Sequence, residues 1–206
     1  VGTILATQNL NIDYLEQYLM KFGFGKPTGV ELTGELSGGF RDYKTCATCL
    51  SSLSIGYSIN VTQLQMIKAY SIIANGGRDI NLSIVKKENN SLSNEQIISY
   101  ESANRLKKLL INVVDSENGT GRSLQLENYI IGGKTGTSKT HIEGVGYSDF
   151  RYNTSFTGFI ETSKGPVVGS VILWGASVNP RSEYVTGGST AAPLFKNIVS
   201  NLVPGE

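Results

Sequence analysis

The chain has 206 residues, of which 39% are hydrophobic and 17% are charged, and its formal net charge is +1. This composition predicts one globular domain with its own core and room for two lobes. The near-neutral charge argues against a nucleic-acid partner, and no apolar run is long enough to span a membrane. Because the chain begins at Val1 rather than Met, we expect a piece of a longer protein, with any anchor or export signal upstream.

Helical patterns dominate the first half of the sequence. Asn11 can cap a helix that ends before Gly23, where a glycine stop is expected. Thr62 and Gln65 have the spacing of a capping box, and the helix that they open should end near Asn75. Apolar residues surround this second helix on most sides, so we expect it to be buried.

The middle of the sequence predicts a short strand and a third helix. Apolar side chains alternate with their neighbours between residues 80 and 85, which indicates a strand. The helix is predicted from about Glu101 to Val114, and its apolar stripe consists of Leu106, Leu109, Leu110, Val113 and Val114.

The last third changes to the two-residue period of β-strands. A polar loop, Lys139 to Asp149, follows the first of three predicted strands. The strands and a closing helix are predicted at Tyr129–Thr137, Ser155–Ile160, Val167–Trp174 and Thr190–Leu202. Short links predict an antiparallel meander with the last helix packed on it. The fold class is therefore α/β, of the α+β kind, with a mostly helical lobe over residues 1–128 and the sheet with its helix over 129–206.

The first of these strands carries the stretch with the most chemistry, Lys134-Thr135-Gly136-Thr137. Thr135 and Thr137 share one face of the strand, and two hydroxyls beside an ammonium can bind a carboxylate by charge-assisted hydrogen bonds. Gly136 leaves the backbone open to close approach by a ligand. Alternation places Lys134 opposite Thr135, so its side chain must reach around the strand edge. For four residues alone, a solvated strand end is the alternative.

Neither the cysteines nor the single histidine predicts a metal site or a cofactor. Cys46 and Cys49 are the only cysteines and His141 is the only histidine, whereas a zinc site needs about four ligands. We favour a pair of ordinary thiols, and a local disulfide is the alternative in an oxidising compartment. A lone histidine in a polar loop is more often solvated than catalytic, so we do not expect His141 to be a general base.

The order of several segments resembles the C-terminal part of the transpeptidase domain of class B penicillin-binding proteins, above all of the division-type penicillin-binding protein 3. The resemblance covers nearly the whole chain and implies part of the penicillin-binding/β-lactamase-like transpeptidase fold. The segments that carry it are Phe22–Gly25, Thr28–Glu35, Ser54–Tyr57, Val61–Gln65, Ala74–Gly77, Gly119–Gly121, Lys134–Thr137 and Gly187–Pro193.

The resemblance implies a serine D,D-transpeptidase that cross-links peptidoglycan stem peptides through an acyl-enzyme and is acylated by β-lactam antibiotics. It implies catalytic roles for Lys134 and Thr137 and substrate binding by Thr135, Gly136 and Thr137, with the Thr137 N–H as an oxyanion donor. It also implies a parent protein that is anchored in the inner membrane, faces the periplasm, and contacts membrane proteins of the division complex.

The nucleophilic serine and its base are not expected in this chain. The family's Ser-x-x-Lys element normally lies well upstream, and its Ser-x-Asn element usually precedes a stretch like Val1-Gly2-Thr3. Ser83 and Lys86 have the Ser-x-x-Lys spacing, but we predict a strand there, whereas the real element begins a helix. The Ser-x-Asn spacings at residues 58–60, 116–118 and 177–179 are interpreted as turns or caps.

We therefore expect this chain alone to be inactive, with half of a site: the binding side without the attacking one. Two alternatives share the fold, namely a β-lactam sensor domain that binds without turnover and a non-catalytic scaffold. A truncated sheet should expose an edge and apolar surface, so we also expect the chain to self-associate.

Overall fold

The computed structural model describes residues 2–40, 48–86, 95–177 and 185–202. The chain divides into two compact units. The first comprises Val1–Ile72 and Arg78–Ile98, and the second comprises Ile73–Gly77 and Ser99–Glu206.

The first unit is mainly helical. It contains α1 (Gly2–Asn9), α2 (Ile12–Lys21), α3 (Cys49–Leu53) and most of α4 (Gln63–Ala74), together with the two-residue strands β1 (Gly39–Phe40) and β2 (Ile59–Asn60), which pair antiparallel. Helices α1 and α3 were not predicted. Helix α1 has no acidic residue in its first turn and no basic residue in its last, and α3 has only five residues, so neither carries the usual sequence signals.

Both ends of α2 are where the sequence predicts them. The Asn11 side chain accepts a hydrogen bond of 2.7 Å from the Tyr14 N–H, which caps the helix. After the helix, Gly23 has a φ of +98° and the Phe24 N–H donates to the Leu19 carbonyl at 3.1 Å. This glycine-terminated geometry is favourable because only glycine adopts a positive φ without strain.

The predicted capping box of α4 is confirmed. The Thr62 N–H donates to Gln65 Oε1 at 2.9 Å, and the Gln65 N–H donates to Thr62 Oγ1 at 3.2 Å. The Gln65 amide also donates to the carbonyls of Lys26 and Ser37, at 2.8 Å each. One buried side chain therefore connects the loop between α2 and β1 to helix α4. No side chain from residue 64 to residue 77 is exposed, which confirms the expected burial.

The predicted strand at residues 80–85 is wrong, because these residues form no strand. The Ser83 hydroxyl lies 2.9 Å from a Glu31 carboxylate oxygen and 2.8 Å from the Val85 carbonyl, and the Ile84 N–H donates to Glu31 at 3.1 Å. Such side-chain hydrogen bonds satisfy backbone groups that a strand would otherwise pair. The alternation of apolar residues was therefore misleading, since Ile84 is 60% exposed.

Cys49 is buried and disulfide-bonded. The prediction of an ordinary thiol is therefore wrong at this position, and the alternative of a disulfide is confirmed. Cys46 lies outside the described residues. The redox state of a buried cysteine depends on its compartment, which the neighbouring residues do not encode.

The second unit contains the sheet. Its elements are α5 (Tyr100–Asp115), a 3₁₀ turn (Arg122–Leu124), β3 (Ile131–Ile142), β4 (Gly146–Ile160), β5 (Val167–Ala176) and α6 (Ala191–Leu202). The strands lie in the order β3-β4-β5 and both pairs are antiparallel, so the predicted meander is confirmed. Helix α6 packs on β4 and β5, and the rings of Phe156 and Phe195 lie 4.8 Å apart at this contact.

The predicted polar loop from Lys139 to Asp149 is wrong, because β3 and β4 continue as a hairpin as far as the pair Ile142 and Gly146. An ion pair of 2.8 Å joins Lys139 to Asp149 across the strands. The extension has exposed residues on both of its faces, so it lacks the alternation of apolar and polar residues from which strands are predicted.

The apolar stripe predicted for α5 is only partly buried, and the same is true of the apolar residues of α6. In α5, Val114 is buried but Leu109 is 64% exposed, and in α6, Phe195 and Val199 are buried but Ile198 is 43% exposed. The stripes are narrower than the sequence pattern because each helix rests on the sheet along one line. A cluster of buried side chains forms the core of the second unit: Val114, Leu124, Ile131, Phe156, Ile160, Val171, Ala191, Ala192, Phe195 and Val199.

Candidate functional site

The Lys134–Thr137 stretch lies in the middle of β3, at one edge of the three-stranded sheet. Glycines before it let the strand lie close to its neighbour: a Cβ atom at Gly132 would come within 2.5 Å of the Phe159 ring, and one at Gly133 within 2.3 Å of the Phe156 ring. Strand β4 pairs with one edge of β3, and no described strand pairs with the other, so the outer edge of the stretch keeps backbone groups outside the sheet ladder.

The Lys134 ammonium reaches the same side as the Thr135 hydroxyl. Its Nζ atom donates to the Thr135 carbonyl at 3.0 Å and lies 3.4 Å from Thr135 Oγ1. The side chain is exposed overall, but partial desolvation of the amine lowers the pKa of Lys134 below its ordinary value of 10.5. Within the described part of the chain, no carboxylate forms an ion pair with it.

The Thr135 hydroxyl is held by a residue that the sequence did not single out as part of the site. Thr135 Oγ1 donates to Thr120 Oγ1 at 2.8 Å. Thr120 lies in the turn after α5, where the Gly121 N–H donates to the Val113 carbonyl at 3.0 Å. The Gly119-Thr120-Gly121 stretch was one of the segments that carried the resemblance, and this was the only signal that pointed to it.

The Thr137 hydroxyl is held by the turn before α6. The Gly187 N–H donates to Thr137 Oγ1 at 3.0 Å, and the Gly187 carbonyl accepts from the Ala192 N–H at 2.8 Å. A Cβ atom at Gly187 would come within 2.5 Å of the Ser155 carbonyl oxygen and 2.6 Å of the Gly136 carbonyl oxygen, so only glycine fits here. Because the Gly187 N–H uses a lone pair of the threonine oxygen, the hydroxyl hydrogen of Thr137 can point towards another acceptor.

Gly136 has a packing reason of its own. A Cβ atom there would come within 2.4 Å of Ser155 Oγ, which lies opposite it on β4. The small residue therefore lets the two strands approach, and the sequence-based role in letting a ligand approach the backbone stays a prediction.

His141 does not belong to this constellation. It lies in the extended hairpin, where it is exposed and its ring meets the Tyr147 ring edge-on with 5.4 Å between centroids. His141 lies seven positions beyond Lys134 in β3, which corresponds to roughly 23 Å along the strand.

Among the described residues, none of the spacings that imitate the family's Ser-x-x-Lys and Ser-x-Asn elements begins a helix. Residues 83–86 form no helix, so Ser83 and Lys86 do not share a helical face, although the predicted reason, a strand, was wrong. Ser116 is the C-cap of α5, as expected of a cap residue. The spacing at residues 177–179 extends beyond the described residues.

In residues 2–40, 48–86, 95–177 and 185–202, no three His, Cys, Asp or Glu side chains come together as metal ligands would. None of the helices in these ranges combines the length and the apolar character of a bilayer span.

Solved structures that superpose on this chain include transpeptidase domains of penicillin-binding proteins. The apo transpeptidase domain of penicillin-binding protein 3 from Burkholderia pseudomallei superposes with a TM-score of 0.83 at 25% identity, over 98% of this chain and 59% of that one. Penicillin-binding protein 3 from Mycobacterium tuberculosis, in complex with ampicillin, superposes with a TM-score of 0.76 at 29% identity, over 95% of this chain and 46% of that one. The fold is thus the mixed α/β fold of these domains.

The sequence comparisons agree. The chain belongs to the family described as "Penicillin binding protein transpeptidase domain", whose model matches residues 1–200. A relative named peptidoglycan D,D-transpeptidase FtsI, from Buchnera aphidicola, is 30% identical over 98% of this chain and 35% of its own length. The chain spans about a third of the length of the curated relatives that it matches.

Proposed function

We propose that this chain is the carboxylate-binding part of a peptidoglycan D,D-transpeptidase. Its substrate is a stem peptide that ends in D-Ala-D-Ala, and β-lactam antibiotics occupy the same site. The observation that carries the proposal is the Lys134 ammonium, which has no carboxylate partner among the described residues and lies beside the Thr135 hydroxyl. An exposed cation with adjacent hydroxyl donors at an open strand edge is suited to an anionic ligand.

Each residue of the stretch has a role in this proposal. Lys134 supplies positive potential, and the hydroxyls of Thr135 and Thr137 donate to the terminal carboxylate of the peptide or of a β-lactam. Gly136 lets the ligand backbone approach the strand. The N–H of Thr137 is one oxyanion donor, and the N–H of the nucleophilic serine is the other.

The reaction needs residues that this chain does not supply. In the proposal, a serine of a Ser-x-x-Lys element, outside this chain in the parent protein, attacks the carbonyl carbon of the penultimate D-Ala. The Ser–O–acyl bond forms, and the terminal D-Ala leaves with a proton on its amine. An amine from a neighbouring stem peptide then attacks the ester, which forms the cross-link and returns the proton to the serine.

The cellular setting follows from the same proposal. We place the parent protein on the periplasmic face of the inner membrane, anchored by a segment outside this chain, where it would meet membrane proteins of the division complex. The name of the Buchnera aphidicola relative, FtsI, supports the transpeptidase activity, and the ampicillin complex of the Mycobacterium tuberculosis protein supports β-lactam binding.

Covalent labelling with a fluorescent penicillin tests the proposal. We expect no labelling of this chain alone and one label per molecule of the full-length protein, abolished by excess unlabelled benzylpenicillin. Stoichiometric labelling of any serine in this chain would overturn the division of the site between two segments. A full-length protein that takes up no label would overturn the function itself.

A turnover assay separates a transpeptidase from a β-lactam sensor or a scaffold. We expect the full-length protein to release D-Ala from a D-Ala-D-Ala peptide when an acceptor amine is present. Labelling without any release of D-Ala would indicate a sensor instead.

A further inference from the structure

The two hydroxyls of the Lys134–Thr137 stretch are held by two separate turns. Thr120, after α5, accepts from the Thr135 hydroxyl at 2.8 Å, and Gly187, before α6, donates to the Thr137 hydroxyl at 3.0 Å. The partners are 15 and 50 residues away in the sequence, so tertiary structure alone brings them to the strand.

The two turns also contact each other. A Cβ atom at Gly188 would come within 2.3 Å of the Thr120 carbonyl oxygen, which places the two backbones in direct contact. The Ser123 hydroxyl donates to the Gly188 carbonyl at 3.0 Å. The contacts therefore form a closed ring around the stretch, which runs from Thr135 through Thr120 and the pair Gly187-Gly188 to Thr137.

We infer that Thr120 is a positioning residue of the carboxylate site and that it acts through Thr135. The inference rests on the proposed function and names a residue that it did not include. A threonine hydroxyl has one hydrogen, and the Thr135 hydroxyl donates it to Thr120 Oγ1.

Binding of a carboxylate requires the Thr135 hydrogen to turn towards the ligand. Thr120 can then donate its own hydrogen to Thr135 Oγ1, so the two oxygens keep their 2.8 Å separation and only hydrogens move. In this arrangement each hydrogen bond polarises the next, which strengthens the donor that faces the carboxylate. A residue without a hydroxyl at position 120 would leave Thr135 free to rotate away from the ligand.

The hydrogen bond between Thr135 and Thr120 contributes little to the stability of the fold, so a purely structural role does not account for it. The side chain of Thr120 is exposed, so water can replace its hydrogen bond and little stability depends on it. The backbone of the turn has its own support in the bond from the Gly121 N–H to the Val113 carbonyl. The hydroxyl can thus be removed while the turn stays in place.

The experiment compares acylation of the full-length protein by benzylpenicillin and by its methyl ester, which lacks the carboxylate. For Thr120→Val we expect the second-order rate with the acid to fall about fivefold and the rate with the ester to stay within about twofold. Thr120→Ser keeps the hydroxyl and should restore the rate with the acid. If valine disturbs the turn, as judged by the unfolding midpoint, Thr120→Ala removes the same hydroxyl without adding volume.

A double-mutant cycle tests whether Thr120 acts through Thr135. In a Thr135→Val background, Thr120→Val should change the rate by no more than about 1.5-fold. An undiminished effect in that background, an equal loss with acid and ester, or no loss at all would each overturn the inference while the proposed function stands. A wild-type protein that benzylpenicillin does not acylate would instead overturn the proposed function.

Discussion

The inner and outer halves of the β3–β4 hairpin are built differently, although they belong to the same two strands. In the inner half, around Lys134–Thr137, residues from distant turns hold the hydroxyls, and glycines allow backbones to touch. In the outer half, from Lys139 to Asp149, side chains contact neighbours within the hairpin, as in the ion pair of Lys139 with Asp149. The positions of the Thr135 and Thr137 hydroxyls therefore depend on the turns that pack on the strand rather than on the strand alone. Three substitutions test this contrast.

The largest effect is expected at Gly187. A Cβ atom in Gly187→Ala would overlap the backbone oxygens of Ser155 and Gly136, at 2.5 and 2.6 Å, and backbone cannot move aside as a side-chain end can. We expect a loss of about 3 kcal/mol in the free energy of unfolding, measured by urea denaturation. Gly144→Ala in the outer hairpin is the matched control: nothing lies within 4 Å of its Cβ, so its φ of +76° should cost only about 1 kcal/mol. Equal losses at both positions would contradict the contrast.

An intermediate effect is expected at Lys134, and it concerns ligand binding. For Lys134→Met in the full-length protein, we expect acylation by benzylpenicillin to slow by roughly 10- to 30-fold, because a charge-assisted hydrogen bond is lost. Lys139→Met in the outer half removes a lysine from the same strand and should leave the rate unchanged. A comparable decrease in both variants would indicate that general positive charge matters rather than position.

The same lysine predicts a pH dependence. Desolvation holds the pKa of Lys134 below 10.5, so the amine loses its proton at a lower pH in the folded protein than in the unfolded chain. Acylation should therefore decline as pH rises through this lowered pKa, and Lys134→Arg should remove the decline. The free energy of unfolding changes in the opposite direction. Between the lowered pKa of the folded protein and 10.5, the unfolded chain binds more protons than the folded one, so the contribution of Lys134 to stability rises with pH.

The smallest effect is expected at the ion pair between Lys139 and Asp149 in the outer half of the hairpin. Lys139 lowers the pKa of Asp149 through a hydrogen bond and its charge, and Asp149 is fully exposed. Exposed ion pairs are screened by water and contribute little. Asp149→Asn should not change the unfolding midpoint measurably, by calorimetry at neutral pH. A clear decrease would mean that the outer hairpin is as tightly determined as the inner one.

Local signals explain what the sequence could predict. The caps of α2 and α4 depend on residues within one or two turns, and the meander of β3, β4 and β5 follows from short links. The shared face of Thr135 and Thr137 follows from the two-residue period of a strand. Thr120 and Gly187 could not be identified as their partners from periodicity, because no local rule relates residues 15 or 50 positions apart.

The failed predictions have physical causes of the same kind. At residues 80–85 the apolar alternation was real, but the Ile84 N–H donates to the Glu31 carboxylate and the Val85 carbonyl accepts from the Ser83 hydroxyl, which satisfies these backbone groups without a strand. In the outer hairpin the two strands pair without such alternation, because the backbone ladder of the inner half extends into it. Sequence patterns record side-chain burial, whereas both outcomes were decided by backbone hydrogen bonds.

The peptide groups on either side of Gly187 connect strand β3 to helix α6. Its N–H binds Thr137 on the strand, and its carbonyl receives the first N–H bond of α6 from Ala192. A small displacement at the start of α6 is therefore also a displacement of a hydroxyl that, in our proposal, faces the antibiotic. The proposal therefore predicts that substitutions along that helix weaken antibiotic binding without contacting the drug.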